Sequence, residues 1–365
     1  MTAPRLRVLH LGFEDPEMPG SGGGSLRTRE IDRRLAADGM EVTVLTTRYP
    51  GCVDGVRDGV RFEHVGIGRG ANRLTRLLGY VLALPAAVRA HPEADLVVED
   101  FLPPFSSMAV PLWTRRPVVG MVQWLHARQK SRQYKLPFHW VERAAVRTHR
   151  RLIAVSQDTA DRLTALNPHA RVDVVGNGVA PELFDQPLHP GCDVLYLGRL
   201  ELGAKGLDLL LQAWAEASRH VDGDLVIAAG WVRGAQKAAL LAGSRVLVVP
   251  SRMETFGIVA VEALAAGTPV LAFDLPALRE VVPASSGRLV PAFDVAALAA
   301  ALPELYRAAG SSAAMAGAGR AFATAYDWDV LAGRQADVYR DAVGRSGPDR
   351  PRPVTPLRRN AQVQA

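Results

Sequence analysis

The sequence predicts an α/β protein built from two doubly wound domains in tandem. With 365 residues, the chain is longer than a single hydrophobic core usually fills. Short β-branched runs alternate with helical patterns over most of its length, which is typical of parallel α/β units. The alternation stops at APELFDQPLHPG, residues 180–191, where three prolines and a glycine interrupt both periodicities. We therefore predict that this segment is a linker with one domain on each side.

The first domain is predicted to comprise residues 1–179. Its strands are expected near residues 5–12, 41–47, 60–65, 95–99, 117–123, 151–155 and 172–175. Its helices are expected at residues 25–38, 71–90, 136–149 and 157–166. A doubly wound domain opens its ligand crevice at the carboxyl ends of its strands, so two domains that face each other across a hinge form one cleft.

The second domain is predicted to comprise residues 192–325. Its strands are expected near residues 193–197, 224–229, 245–249, 269–273 and 288–290. Its helices are expected at residues 206–219, 235–242, 257–266, 276–282, 294–308 and 311–325. A last helix is expected within residues 326–343, and the Pro- and Arg-rich residues 344–365 are predicted to be a disordered tail.

Composition and charge exclude several classes of protein. The longest apolar runs are too short to span a bilayer and no secretory leader is expected, so we predict a cytoplasmic protein. Cys52 and Cys192 have neither disulfide nor metal spacing, and we predict no metal site. Residues 1–180 hold 25 Lys and Arg against 18 Asp and Glu, which suits an anionic substrate or an anionic membrane surface. No nucleic-acid motif accompanies these arginines, so a nucleic-acid partner is not expected.

A glycine cluster follows the first predicted strand, in the stretch PGSGGGSLRTRE at residues 19–30. A strand, a glycine-rich turn and a helix N-terminus together form an anion site, so phosphate binding is one interpretation of Gly22 and Gly23. The spacing is neither GxGxxG nor GxxxxGK[ST], and the next strand ends without the carboxylate of a dinucleotide fold. The alternative is a surface loop that binds nothing.

Two cations lie in LYLGRLELGAKGLDLLLQAW, residues 195–214. Arg199 follows a predicted strand, and Lys205 precedes a predicted helix within a glycine-flanked turn. Positive charge at this position would converge on a diphosphate and stabilise it as a leaving group. The alternative is two solvated surface charges.

Two glutamates lie in VLVVPSRMETFGIVAVEALAAGTPVLAF, residues 246–273. Glu254 precedes a turn and Glu262 lies in the second turn of the following helix, eight residues further on. The free N–H groups around Gly257, Ile258 and Val259 open this helix and can hold an anionic group. This spacing could place one carboxylate on a sugar and the other on a ribose. The alternative is that Glu254 caps the helix and Glu262 forms an internal salt bridge.

The two-glutamate stretch resembles the signature of glycosyltransferase family 4, a family of retaining enzymes with the GT-B fold of two facing Rossmann-like domains. It consists of ETFG at residues 254–257 and EALAAGTPV at residues 262–270. Further stretches resemble the family in the same order, at residues 22–46, 153–163, 175–184, 197–214 and 287–302. The resemblance implies a transferase that uses a nucleotide-diphosphate sugar and needs no metal or other cofactor, with an acceptor that is a small molecule, a glycan or a lipid-linked group.

The resemblance also implies roles for single residues. Gly22 and Gly23 would line the donor phosphates from the first domain, and Arg199 and Lys205 would neutralise the leaving diphosphate. Glu254 would bind hydroxyls of the transferred sugar.

In the same way, Glu262 would accept the ribose hydroxyls, and the N–H groups of Gly257 to Val259 would complete the phosphate site. Similar GT-B proteins also return their C-terminal helix to the first domain, which is the role expected for residues 326–343.

Two departures from the family pattern are visible. After residue 230 the family usually continues through another helix and strand, so the second domain is predicted to lack one strand–helix unit. The strand that often ends in a histidine beside the reacting sugar ends here in Gln123, and His126 is the candidate to replace that histidine. An ordinary loop histidine is the alternative for His126.

Three further alternatives remain open from the sequence. One is a nucleotide-sugar epimerase of the same architecture, and another is a degenerate, non-catalytic partner of an active transferase. The third concerns location: the segment 71–91 carries Arg73, Arg76 and Arg89 around an apolar stretch and could lie on the inner face of an anionic membrane. The alternative for that segment is an amphipathic helix whose apolar side covers the sheet.

Overall fold

The computed structural model describes residues 5–67, 72–101, 109–125, 131, 137–188, 191–230 and 232–344. Within these residues the chain forms two sheets of parallel strands flanked by helices, which confirms the predicted fold class.

The first sheet has eight strands in the order β3-β4-β2-β1-β5-β6-β7-β8. Their bounds are β1 Arg7–Leu11, β2 Glu41–Thr47, β3 Gly55–Arg57, β4 Val60–Val65, β5 Leu96–Asp100, β6 Val118–Val122, β7 Arg151–Ala154 and β8 Arg171–Val174. Every neighbouring pair is parallel except β3 and β4. The strand order reverses between β1 and β5, so a ligand crevice is expected at the carboxyl ends of these two strands.

Four helices cover this sheet among the described residues: α1 Gly23–Ala37, α2 Arg73–Ala90, α3 Phe138–Thr148 and α4 Gln157–Leu166. Asn72 caps α2 by accepting a bond from the Thr75 N–H, and Ser156 caps α4 in the same way from Thr159. By contrast, α1 begins after Gly22 without a side-chain cap. The first-turn N–H groups of α1 therefore face the crevice without a capping side chain from Gly22.

The second sheet has five parallel strands in the order β10-β9-β11-β12-β13. Their bounds are β9 Asp193–Gly198, β10 Leu225–Ala229, β11 Ser244–Val249, β12 Val270–Phe273 and β13 Gly287–Val290. Among the described residues, no strand pairs with the outer edge of β10. The connection from β10 to the next helix consists only of residues 230–233, which is where the sequence predicts a missing strand–helix unit.

Eight further helices complete the described chain. They are α5 Leu202–Lys205, α6 Leu207–Ala217, α7 Gly234–Ala242, α8 Ile258–Ala266, α9 Pro276–Val281, α10 Val295–Ser311, α11 Ala313–Ala323 and α12 Trp328–Ala342. The helix α8 is almost fully buried, because alanine, valine and leucine occupy nearly all of its positions.

The last helix, α12, leaves the second domain and packs against α1 of the first. Trp328 and Tyr339 are buried in this contact, and Gln335 accepts a bond of 2.8 Å from the guanidinium of Arg27. A Cβ atom at Gly178 would lie 2.3 Å from the Trp328 ring, so only glycine fits there. The main apolar cluster therefore runs without a break from the first sheet through α12 to the second domain.

Candidate active site

The loops after β9 and β11 are joined at the carboxyl end of the second sheet. Gly206 has a φ of 64°, and a Cβ atom there would lie 2.0 Å from the Pro250 carbonyl oxygen. The N–H groups of Arg252 and Met253 both donate to the Ala204 carbonyl, at 2.8 and 3.3 Å. The turn that carries Lys205 is thereby held against the segment that carries Glu254.

Lys205 and Glu254 form an ion pair between these two loops. The Lys205 Nζ donates to Glu254 Oε1 at 2.5 Å, and the Ser251 hydroxyl donates to the same oxygen at 2.9 Å. The Glu254 side chain is 13% exposed and that of Lys205 is 26% exposed, so both reach the cleft. The structure thus brings together two residues that the sequence predicts to act on neighbouring parts of one donor.

Glu262 of α8 and Lys237 of α7 form a second ion pair. The Lys237 Nζ donates to Glu262 Oε1 at 2.7 Å, while Glu262 Oε2 is buried and has no hydrogen-bond partner among the described residues. Burial raises the pKa of Glu262, and the charge of Lys237 opposes that rise. Lys237 is not among the residues that the sequence predicts for the site.

The N-terminus of α8 lies between the two glutamates in the chain. Gly257 precedes it with a φ of 88°, and a Cβ atom there would lie 2.7 Å from a methyl group of Leu278. The N–H groups of Ala260 and Val261 donate back to the Gly257 carbonyl. Those of Ile258 and Val259 are in the first turn and have no acceptor within the helix, so they can hold an anionic group.

Arg199 does not join the pair of Lys205 and Glu254. It follows β9 and pairs with Glu201 at 3.2 Å, and its side chain is 68% exposed. The sequence predicts Arg199 and Lys205 as equivalent cations at a diphosphate. The structure holds Lys205 in place through packed loops and leaves Arg199 at the surface.

The glycine cluster lies at the start of α1, as predicted. A Cβ atom at Gly23 would meet open space, so packing does not explain the glycine at this position. The Gly22 N–H donates to Glu14 Oε2 at 3.0 Å. No sequence motif pointed to this carboxylate, which occupies an N–H group expected to face the donor phosphates.

A network of charged side chains holds the crevice of the first domain. His10 donates to Asp32 at 2.7 Å and to Asp100 at 3.3 Å, and Thr28 of α1 donates to the other oxygen of Asp100 at 3.2 Å. Burial lowers the pKa of His10, but the two carboxylates outweigh it and raise the pKa to about 10. The network ties α1 to the reversal point of the sheet.

Gln123 directly follows β6, beside this crevice. Its side-chain amide donates to the Gly24 carbonyl at 3.5 Å, next to the glycine cluster. His126, the candidate to replace the expected histidine, lies outside the described residues.

The two domains also meet at the glycine cluster. The Arg233 guanidinium, directly before α7, donates to the Ser21 carbonyl at 3.4 Å. The glycine cluster and the second domain therefore face each other across one cleft, as the fold class predicts. Arg233 is a further residue that the sequence analysis does not assign to the site.

A separate cavity of about 1810 Å³ lies elsewhere between the domains. Gly176, Phe256, Glu280 and Tyr326 are among the residues that line it, whereas the two lysine–glutamate pairs are not. Within the described part of the chain, no group of three or more His, Cys, Asp or Glu side chains is arranged to hold a metal ion. No helix there is long and apolar enough to cross a bilayer.

Comparison with protein families decides the classification. Residues 21–183 match the model described as Glycosyltransferase Family 4, and residues 215–308 match the one described as Glycosyl transferases group 1. The chain is a family 4 type glycosyltransferase. It is therefore an enzyme.

Curated relatives of this glycosyltransferase agree with the assignment. It is 29% identical to D-inositol 3-phosphate glycosyltransferase 1 of Catenulispora acidiphila, over 94% of the chain and 97% of that protein. It is 38% identical to phosphatidyl-myo-inositol mannosyltransferase of Mycobacterium leprae, over 48% of the chain and 53% of that protein.

Solved structures show the same fold. The glycosyltransferase is similar to sucrose-phosphate synthase of Thermosynechococcus elongatus, with a TM-score of 0.74 and 21% identity over 94% of this chain and all of that one. It is also similar to Anabaena HepE in complex with UDP-glucose, with a TM-score of 0.64 and 17% identity over 92% of this chain and all of that one. At these identities the similarity shows the fold alone.

Proposed function

We propose that this enzyme transfers a sugar from a nucleoside-diphosphate sugar to an acceptor hydroxyl, with retention of the anomeric configuration. The observation that carries the proposal is the pair of buried or half-buried glutamates, each with its own lysine, on the two sides of the α8 N-terminus. A diphosphate at that N-terminus would have a sugar on one side and a nucleoside on the other, as a nucleotide sugar has.

The charges of the site suit the departure of a diphosphate. When the bond between the anomeric carbon and the phosphate oxygen breaks, negative charge develops on the leaving group. Lys205, held by Glu254, and the N–H groups of Ile258 and Val259 would lie beside that leaving group before the reaction begins. Such preorganised donors typically contribute a hundredfold or more to the rate.

The two carboxylates would bind hydroxyl groups at the two ends of the donor. Glu254 would accept bonds from the transferred sugar, and Glu262 would accept them from the ribose. HepE was solved with UDP-glucose, and two relatives carry names of mannosyl or glycosyl transferases, which supports a hexose donor. The excess of Lys and Arg in residues 1–180 favours an acceptor that carries negative charge.

We propose a same-face displacement for the chemical step. The acceptor oxygen forms its bond to the anomeric carbon on the face from which the diphosphate leaves, and a diphosphate oxygen takes the acceptor proton. No catalytic carboxylate is then needed at the anomeric carbon, unlike in retaining hydrolases. Lys205 and the helix N–H groups would also replace a metal ion as the positive partner of the diphosphate.

Release of nucleoside diphosphate tests the proposal. Purified enzyme is incubated with UDP-glucose, GDP-mannose and ADP-glucose in turn, with myo-inositol phosphate as a trial acceptor, and free diphosphate is measured. We expect release from one donor and an α-linked product from an α-linked donor, as seen by nuclear magnetic resonance. Glu254→Gln should lose this activity while keeping its melting temperature. Release that is equally fast in the Glu254→Gln variant, or an inverted product, would contradict the proposal.

A further inference from the structure

Lys237 is a residue of the cleft to which the motifs and the family resemblance give no role. It lies in α7, which packs against α8 and β11, and its Nζ contacts Glu262 Oε1 at 2.7 Å. The short connection of residues 230–233 starts α7 directly after β10, and Lys237 in this helix reaches Glu262 of α8.

The position of Lys237 within its own helix does not explain the residue. Gly234 is the first residue of α7, so Lys237 is in the first turn. A cation there is unfavourable, because the N-terminal end of a helix dipole is itself positive. The compensating interaction in the structure is the bond to Glu262.

The geometry of the pair leaves hydrogen-bonding capacity toward the cleft. The Glu262 side chain is 10% exposed, and its Oε2 atom is buried. Oε1 is therefore the oxygen that can accept a bond from a ligand. The Lys237 side chain is 25% exposed, and one of its three N–H groups donates to that oxygen. An acceptor and a donor are thus adjacent at the same point.

We propose that Lys237 determines specificity by binding, together with Glu262, the vicinal diol of the donor ribose. One hydroxyl donates to Glu262 Oε1, and the neighbouring hydroxyl accepts an N–H from Lys237. The proposal rests on the proposed function, because it requires a nucleotide donor in this cleft. The charge of Lys237 also opposes the rise that burial causes in the pKa of Glu262, and a protonated carboxyl group would be a weaker acceptor for a hydroxyl.

Binding measurements with deoxy analogues test this role. UDP, GDP and ADP are titrated into wild-type enzyme by calorimetry, and the tightest ligand is compared with its 2′-deoxy and 3′-deoxy forms. We expect wild type to bind each deoxy form at least tenfold more weakly. Lys237→Met should lose the discrimination at one hydroxyl and keep it at the other, which Glu262 still holds.

Two control variants separate this effect from simpler ones. Arg219→Met removes an exposed cation of the same domain and should leave all three affinities unchanged. Lys237→Arg retains a charged donor and should restore at least part of the lost discrimination. A melting temperature for Lys237→Met within a few degrees of wild type shows that the fold is intact.

The pH dependence gives a second readout. Without Lys237, burial raises the pKa of Glu262 with no opposing cation, so Lys237→Met should lose affinity for the ribonucleotide more steeply than wild type as the pH is lowered. Equal weakening of the ribonucleotide and both deoxy forms, or no change in any of them, would overturn the role of Lys237. If wild type bound none of the three diphosphates, the proposed function itself would fail.

Discussion

The two sides of the cleft differ in how far they are prepared for a donor. In the second domain, two ion pairs are already formed: Lys205 with Glu254 between two packed loops, and Lys237 with Glu262 between two helices. In the first domain, the Gly22 N–H is occupied by the carboxylate of Glu14, whereas the charged network around His10 is buried below the crevice. From this difference we predict that the proposed nucleotide donor binds first to the second domain, and that its phosphate then replaces Glu14 at the glycine cluster.

The largest effect is expected from the prepared side. Lys205→Ala should lower turnover by about a hundredfold to a thousandfold, because it removes a fixed cation beside the leaving group. Arg199→Ala should lower it by less than tenfold, since Arg199 is 68% exposed and pairs with Glu201. Steady-state kinetics on one donor compares them directly. Equal losses in the two variants would mean that both cations reach the diphosphate and that Arg199 is as important as Lys205.

The network of the first domain predicts a pH effect on stability. The pKa of His10 is raised from 6.5 to about 10, so the stabilisation is fully present below pH 6.5 and is lost as the pH rises through 10. Between pH 6.5 and 8 this group should contribute a decrease of about 2 kcal/mol in the free energy of unfolding. Urea denaturation at both pH values measures it. His10→Gln should remove most of that decrease, and an unchanged slope with pH would show that His10 is neutral when folded.

A smaller effect is expected from Glu14. Glu14→Gln keeps an oxygen that can accept the Gly22 N–H but removes a negative charge from the phosphate side of the cleft. Affinity for a nucleoside diphosphate should rise about fivefold, since one like charge a few ångströms away in water is worth about 1 kcal/mol. Calorimetric titration at low ionic strength is the measurement. An affinity that stays the same or falls would place Glu14 away from the bound phosphates.

The smallest effect concerns membranes. Tyr80 and Leu84 of α2 are buried against the sheet, whereas Leu78 and Leu82 of the same helix are exposed, Leu82 by 80%. The helix therefore covers the sheet, and among the leucines of this helix whose side chains the structure describes, Leu78 and Leu82 remain for peripheral contact with a bilayer. We expect weak, salt-sensitive co-sedimentation with anionic vesicles that Leu82→Ser reduces. If neither salt nor Leu82→Ser altered the binding to vesicles, the membrane contact would lie on a surface other than α2.

The sequence was informative where one continuous stretch carries a site. Glu254, Gly257 and Glu262 lie within nine residues of one strand–turn–helix unit, so their placement on one rim follows from the local pattern. Three residues of the cleft were not predicted from the sequence: Glu14, Lys237 and Arg233. Their hydrogen-bond partners lie 8, 25 and 212 positions away in the chain, respectively. The residues around a single lysine in an alanine-rich helix do not indicate which carboxylate it will pair with in the fold.

The fold shows the same limit on a smaller scale. Strand β3 was not predicted, although its hairpin turn at Asp58-Gly59 has the sequence and the positive φ values, 49° and 80°, of a tight two-residue turn. Three residues are too few to show an alternating pattern. The predicted helix 206–219 likewise corresponds to α6 and a following 3-10 turn, because Gly206 in a left-handed conformation ends α5 immediately before it.

The return of α12 to α1 also has a consequence for synthesis. The first domain is discontinuous in the chain, since its outer layer is supplied by residues 328–342, which follow the entire second domain. On the ribosome, the face of α1 that carries Ile31 and Leu35 and the guanidinium of Arg27 lacks that covering until the last helix emerges. The second domain should therefore complete its folding before the first. Chimaeras with related enzymes accordingly need two junctions, one near residue 180 and one near residue 326, to exchange the second domain intact.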